Sequence, residues 1–321
     1  MRPHPALLPL VPLYAAALAA KNVAYNRSWV TTKRLQWPVV SVGNLSVGGA
    51  GKTPIVIRLA QLLREASHSV DVLSRGYGRN SNDVTRIDPG GSAAQFGDEP
   101  LLIGRAADVP VYVGPDRYAA GLLAERTQSM PGIHLLDDGF QHRRLARDLD
   151  IVVLHRSDFD EHLLPAGRLR ESLAALRRAS IIVLRSEDRD FEAELRRRKI
   201  DAPVSIQHRR LLVESTTSAV AFCGIAHPDE FFASLRANGV DLAAASAFRD
   251  HHDYTDSDLD SLLKLRTRHD AESFITTEKD FVRLASAQRV RLAPLHIARL
   301  EVVFEDETAI TGHLAGLIVR K

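Results

Sequence analysis

Val39-Val40-Ser41-Val42-Gly43-Asn44-Leu45-Ser46-Val47-Gly48-Gly49-Ala50-Gly51-Lys52-Thr53 decides the fold. Val39–Val42 reads as a strand buried on both faces, because it is apolar without strict alternation. A glycine-rich turn follows and ends in Gly51-Lys52-Thr53. The spacing matches the phosphate-binding pattern G-x-x-x-x-G-K-[ST], with Ser46 in place of the first glycine. Across Ser46, Val47, Gly48, Gly49, Ala50 and Gly51, the mostly small side chains let successive backbone N–H groups converge on phosphate oxygens. A helix expected from Pro54 turns its positive dipole end toward the same point. In such a loop Lys52 reaches the β- and γ-phosphates and Thr53 holds Mg²⁺. The expected ligand is a nucleoside triphosphate. A flexible glycine turn would need none of this order of strand, loop, lysine, threonine and helix.

With 321 residues, the chain has the length of about two domains. Its single cysteine, Cys223, excludes an intrachain disulfide and suits a reducing compartment. Placed in the apolar run Ala219–Cys223, it reads as a buried, inert thiol. The charge is uneven. Residues 1–64 hold eight Lys/Arg and no Asp/Glu, whereas the remainder holds 34 basic and 40 acidic residues. A basic leading segment points to an anionic partner, either a membrane surface or a nucleic acid.

Pro3–Ala20 contains no charged side chain, and Lys21, Arg27, Lys33 and Arg34 follow it with Tyr14, Tyr25 and Trp29 nearby. The run nears the length of a membrane span, but Pro5, Pro9 and Pro12 interrupt a single helix. A membrane-associating helix lying in the interface fits best, with residues 1–36 as its segment. A core helix, a true membrane span and a cleaved signal peptide are the alternatives.

Downstream, strands and helices alternate. Strands are predicted at Val39–Val42, Val70–Leu73, Val109–Val113, Ile133–Leu136, Ile151–Leu154 and Ile181–Leu184. Helices are predicted at Pro54–Ala66, Arg117–Arg126 and Glu171–Arg178. The pattern predicts an α/β fold, a P-loop NTPase-like, doubly wound, mostly parallel sheet over residues 37–210. The charged stretch Glu187–Arg210 reads as a surface helix plus connector. A second, smaller α/β domain is expected over 211–321, with strands at Ala219–Phe222, Ser273–Thr276 and Leu300–Phe304.

Ligands in such sheets bind at the carboxyl ends of strands, and three further motifs qualify. Ile133-His-Leu-Leu-Asp137-Asp138-Gly is an apolar strand ending in two carboxylates, either a Mg²⁺-holding pair or a surface turn. Gln95-Phe-Gly-Asp98-Glu-Pro100 presents Asp98 on a tight loop, where it serves either as the proton acceptor of a phosphoryl transfer or as a helix cap. Phe248-Arg-Asp-His251-His252-Asp-Tyr-Thr255 sets two histidines among carboxylates, with Thr255 and Asp258 forming a capping-box-like pair. Ser74–Arg79, Arg117, Arg168, Arg170 and Glu171 add charges that would suit an anionic substrate if they converge.

Together, Gly43-Asn44 with Ser46–Pro54, Ser74–Arg79, Gly97–Pro100, Leu136–His142, Leu164–Glu171, Phe222–Pro228, Asp250-His251 and Thr277-Glu-Lys-Asp280 resemble the tetraacyldisaccharide 4′-kinases, the lipid A 4′-kinases of Gram-negative bacteria. The resemblance implies transfer of the ATP γ-phosphate to the 4′-hydroxyl of a tetraacylated glucosamine disaccharide 1-phosphate, giving lipid IVA. It implies ATP and Mg²⁺, attachment to the cytoplasmic face of the inner membrane, no nucleic acid and no obligate protein partner. Carried over by motif, Lys52 and Thr53 bind phosphate and metal, Asp98 is the base and His251 its partner. Asp137 and Asp138 serve the metal, joined by Glu171. Arg117, Arg170, Gln141 and His142 lie near the reacting groups. A lipid substrate accounts for the uncharged leading run, and its phosphate for the basic excess.

Two readings from other classes compete. A switch or assembly ATPase acting on a protein partner would share the loop, though its relatives often carry a lysine where this chain has Val47. A nucleic-acid-binding ATPase would use the basic segment, but residues 3–20 lack the interspersed Lys/Arg that phosphate backbones demand.

Overall fold

The computed structural model describes residues 4–48, 51–213 and 218–319. Twelve strands form one sheet: β1 (Val39–Asn44), β2 (Val70–Ser74), β3 (Thr85–Arg86), β4 (Val111–Val113), β5 (Ile133–Asp137), β6 (Leu149–Val153), β7 (Ile181–Arg185), β8 (Val204–Leu212), β9 (Ala219–Cys223), β10 (Leu242–Ala247), β11 (Ser273–Thr277) and β12 (Leu295–Phe304). Their order is β10-β9-β11-β12-β8-β7-β6-β1-β5-β2-β4-β3. The fold is α/β and P-loop NTPase-like. β1 lies between β6 and β5, parallel to both, so the loop that leaves it opens at the centre of the first half.

Helices cover both faces, as buried parallel strands require. The helix Lys52–Glu65 buries Ile55, Val56, Leu59, Ala60, Leu62 and Leu63 against Val40, Val42, Val72, Leu135 and Val153. On the opposite face, Leu45 and Phe140 pack with Val152, Leu154, Ile182 and Leu184. The second half has its own cores around Phe231, Leu235 and Ile275, and around Phe222, Tyr254, Leu259 and Phe274.

β8 pairs parallel with β7 and antiparallel with β12, and this antiparallel seam joins two half-sheets that are otherwise parallel apart from the short edge strand β3, antiparallel to β4. Residues 204–210, expected as connector, are strand. Their apolar residues are too sparse to signal burial, because Gln207 and Arg209 face inward. A division at 211 falls inside β8. Moreover, Val302, Phe304, Ile310 and Leu314 pack with the helix Lys52–Glu65, so the chain's last strand and helix return to the first half's core. β10 was not expected either; its alanine-rich sequence at a sheet edge carries little strand signal.

The phosphate-loop helix starts at Lys52, two residues before Pro54. Gly51 adopts φ 67°, a left-handed turn open to glycine, and Pro54 still sits in the first turn, where no intrahelical N–H partner is lost. At the N-terminus, Pro5–Leu10 forms a 3₁₀ turn and Val11–Asn26 an α-helix with Pro12 at its start. Pro5–Asn26 is long and apolar enough to cross a membrane, and none of it is buried in the protein. It is therefore not a core helix. Residues 171–178 form a 3₁₀ helix only from Leu173.

Candidate active site

The tip of β1 organises the site. Asn44 is fully buried and donates through Nδ2 to the Ser46 carbonyl at 2.8 Å and to Ser46 Oγ at 3.2 Å. Its Oδ1 accepts from Lys52 Nζ at 3.0 Å and from Arg170 Nη2 at 2.5 Å. One amide thus shapes the loop's entry and aims two cations. Across the loop, Val47 N–H donates to the Arg168 carbonyl at 2.8 Å, and Arg168 Nη2 donates back to the Val47 carbonyl at 2.8 Å. Gly48 is described; Gly49 and Ala50 lie outside the described residues. Thr53 stands in the first turn of the helix.

β5 ends in the two carboxylates, and their environments differ. Asp137 is buried, with one oxygen accepting from Ser74 Oγ at 3.0 Å. Burial, with Glu99 and Asp138 nearby, pushes its pKa well above the usual carboxylate range. Asp138 is more open and takes φ 51°. Its oxygens accept from Arg170 Nη1 at 3.0 Å and Nη2 at 2.9 Å, and Lys52 Nζ is 3.4 Å away. Burial alone would raise its pKa, but Arg170 and Lys52 outweigh it and pull it down.

These donors suit a magnesium nucleotide. Asp137 makes no direct ion pair among the described residues, although the Lys52 charge is near, and Thr53 supplies a hydroxyl close in sequence to the lysine. No group of three or more His, Cys, Asp or Glu gathers for a metal among the described residues. Mg²⁺ does not need one, since it keeps waters and takes phosphate oxygens beside one or two carboxylates. Glu171 fits less well: it is buried and accepts from Arg178 Nη2 at 2.8 Å. An anion is also called for. Arg209 of β8 lies against Gly51 with Nε and Nη2 buried and unpartnered. Burial and neighbouring Arg185 push its pKa down to about 10.

Arg117 opens the helix Arg117–Thr127 after its cap, Asp116. It is buried, holds the Pro115 carbonyl at 3.0 Å and leaves Nε free. Gln141 donates to the Asn44 carbonyl at 3.0 Å. Burial and the Arg117 charge push His142 down to about 4, so its imidazole is neutral at ordinary pH.

A second cluster forms where the two halves meet. Asp98 begins the helix Asp98–Ala107 after Gly97, whose φ of 88° brings the chain against the Tyr77 carbonyl. His251 Nδ1 is 3.1 Å from Asp98 Oδ2. His252 turns away, with Nε2 3.0 Å from Asp258 Oδ2 in the box that caps the helix Asp256–Arg268. His251 takes φ 59°. Like Asp138, it holds a conformation that costs a non-glycine residue roughly 1–3 kcal/mol, the kind of strain that collects at functional sites. Lys279 Nζ lies 3.1 Å from His251 Nε2. Burial pushes Asp98 upward, but the His251 hydrogen bond and the Arg283 and Lys279 charges carry it far below the usual carboxylate range.

Asn44, Arg209 and Arg283 were missing from the sequence-predicted site. Asn44 had a signal, a polar residue closing an apolar strand just before the loop. Arg209 and Arg283 had none, since surface arginines look the same in sequence.

A family model for tetraacyldisaccharide-1-P 4′-kinase, LpxK, matches residues 3–318. The tetraacyldisaccharide 4′-kinase of Koribacter versatilis is 41% identical, covering 98% of this chain and 99% of that one. The one from Geobacter metallireducens is 40% identical over 92% and 94%. A crystal structure of Aquifex aeolicus LpxK, described as an "apo" form in complex with ATP, superposes with a TM-score of 0.80 at 33% identity, covering 99% and 98% of the two chains. With a whole-length family match and relatives of this identity, the chain belongs to the tetraacyldisaccharide 4′-kinase family.

Proposed function

We propose that this protein transfers the γ-phosphate of ATP to the 4′-hydroxyl of a tetraacylated glucosamine disaccharide 1-phosphate, at the cytoplasmic face of the inner membrane. The observation that carries this reading is the meeting of Asp98 with His251 across the two halves, in a chain whose phosphate loop, Asp137 and Asp138 lie at the centre of the first half.

In the mechanism, the loop N–H groups and Lys52 hold the β- and γ-phosphates, with Arg209 adding charge beside Gly51. Thr53 and Asp137 would hold Mg²⁺, which when bound neutralises phosphate charge. Arg170 keeps Asp138 ionised beside Lys52, and Arg117, Gln141 and neutral His142 line the approach. The sugar oxygen bonds to the γ-phosphorus as the bond from phosphorus to the β–γ bridging oxygen breaks. The hydroxyl proton passes to Asp98, which His251 orients. A carboxylate of low basicity suffices, because the loose transition state of phosphoryl transfer asks for little proton removal before the phosphorus–oxygen bond breaks.

The exposed helix supports a membrane surface as partner. Leu8, Leu10, Leu13 and Val23 face solvent, and Lys21 and Arg27 lie at its far end. Tyr14 of this helix donates to the Arg170 carbonyl at 2.9 Å, so an anchored helix sits directly behind a site arginine.

The test is transfer from labelled ATP to tetraacyldisaccharide 1-phosphate in detergent micelles with Mg²⁺, for wild type and Asp98→Ala. Transfer lost in the variant while ATP still binds supports kinase and base together. A folded, ATP-binding wild type without transfer sinks the reading.

A further inference from the structure

Arg283 ends the helix Glu278–Arg283 in the second half, and its side chain is only 4% exposed. Nε donates to Asp98 Oδ2 at 3.1 Å, and Nη2 makes a short contact with the same oxygen. Nη2 is also 2.8 Å from His251 Nδ1. The other end of the guanidinium is rooted: Nη1 donates to the Gly224 carbonyl at 3.2 Å and lies 3.7 Å from Asp280 Oδ1. Asp280 is itself fixed, accepting from Gly224 N–H at 2.9 Å, Tyr254 Oη at 2.9 Å and Thr277 Oγ1 at 2.6 Å. The Thr277-Glu-Lys-Asp280 motif thus builds a rigid base for Arg283, which reaches Asp98 on the opposite half.

We propose that Arg283 is a positioning residue of the phosphoryl transfer, clamping the Asp98 carboxylate in one orientation beside His251 across the joint between the halves. The proposal rests on Asp98 being the proton acceptor.

Without Arg283, Asp98 would be held only by the Glu99 N–H, at 3.0 Å, and by His251. A carboxylate turns about its terminal torsion, whereas Arg283 on Oδ2 and the Glu99 N–H on Oδ1 together restrain both oxygens. Lysine has one compact ammonium and cannot span from Asp98 to the Gly224 carbonyl as the guanidinium fork does. The charged groups facing Asp98 are Arg283 and Lys279 from one helix, and the titratable His251 faces it from the 248–253 loop. Asp250 stands behind Lys279, 3.4 Å away, Asp280 behind Arg283, and Glu99 on the helix Asp98 itself opens. Removing Arg283 leaves a buried carboxylate with less compensation, so its proton affinity rises.

The experiment uses the full chain with Arg283→Gln, Arg283→Lys, Arg283→Ala and Asp98→Asn, with ATP binding and thermal melting as checks of fold. In Arg283→Gln, kcat is expected to fall by roughly 10²-fold with KM for ATP little changed. The pH profile of the Asp98 carboxyl itself, followed by NMR of its labelled carboxyl carbon, moves up by about 1–3 pH units, the range by which a close opposite charge lowers a carboxylate. Arg283→Lys keeps that profile near the wild-type position while kcat stays low. Guanidinium ion restores part of the Arg283→Ala activity. A wild-type kcat in Arg283→Gln overturns the proposal, as does a lower kcat with an unmoved pH profile and no guanidinium rescue, which marks a merely structural tie. If Arg283→Gln does not fold, Arg283→Lys and the rescue decide by the same criteria. Transfer that survives in Asp98→Asn overturns the base reading, and the proposal with it. An inactive Asp98→Asn beside a wild-type-like Arg283→Gln overturns the Arg283 proposal alone.

Discussion

The Lys52 ammonium stands 3.4 Å from the Asp138 carboxylate, so the cation of the phosphate loop is paired with the strand tip of β5. Asn44 completes the arrangement, holding Lys52 and Arg170 on one oxygen. Asn44→Ala frees both cations and leaves the loop's Ser46 end unheld. The expected result is a loss of roughly 10²-fold in kcat/KM for ATP, comparable to a misplacement of about 1 Å. Labelled-ATP transfer measures it. A change of less than about twofold would show that Lys52 finds its place without Asn44.

Asp137 and Asp138 separate by environment, and this gives Mg²⁺ binding a pH dependence. Asp137 has its pKa raised by burial and by its carboxylate neighbours, and a proton there competes with the metal. Mg²⁺ affinity in the presence of ATP should therefore rise with pH as Asp137 deprotonates. Asp137→Asn should bind weakly and with a flat pH profile. Calorimetric titration at several pH values checks both, and an equally steep profile in the variant rules out Asp137 as the titrating ligand.

The neighbours His251 and His252 should behave oppositely. His251→Ala is expected to lower kcat by roughly 10²-fold, since it unlocks Asp98. His252→Ala touches the helix cap through Asp258 and should cost about 1 kcal/mol of stability with kcat retained. Steady-state rates paired with urea melts separate the two, and a reversed pattern would reassign the dyad.

Vesicle binding tests the leading helix. Replacing exposed Leu10 and Leu13 by Glu removes apolar surface worth about 1.5–3 kcal/mol each when buried in an interface, so partition onto anionic phospholipid vesicles should drop by at least about tenfold per residue. Cosedimentation reads this directly. Transfer to a short-chain, water-soluble acceptor should be unaffected in the same variant, because the helix exposes this face away from the site.

Stability should carry its own pH signature near the start of β5. His134 is fully buried, with Nδ1 2.8 Å from Asp71 and Nε2 3.5 Å from Glu125. Burial opposes its charge, but the two carboxylates win and raise it from 6.5 to about 9. A folded value above the unfolded one stabilises fully below about pH 6.5 and is lost as pH climbs through about 9. Urea melts should show a decline of roughly 3 kcal/mol across that window. His134→Gln should be less stable at low pH and lack the decline; a variant that still loses stability there would place the titration elsewhere.

The sequence by itself determined the first half of the fold and the chemistry of its loop. Val39–Val42, Gly51-Lys52-Thr53 and Asp137-Asp138 carry their meaning locally, because a strand, a glycine turn and a helix start are all encoded within a dozen residues. Only the tertiary structure decided how β8 and β12 seam two parallel sheets, and why the last helix belongs to the first core: both depend on pairings between residues about 90 or more positions apart. Which of His251 and His252 faces Asp98 was decided the same way. Adjacent histidines have equal chemistry in sequence, and the left-handed turn at His251 sends one to Asp98 and the other to Asp258. Arg283 and Arg209 show the limit most clearly, since an arginine's role is fixed by which carboxylate or anion the fold places in front of it.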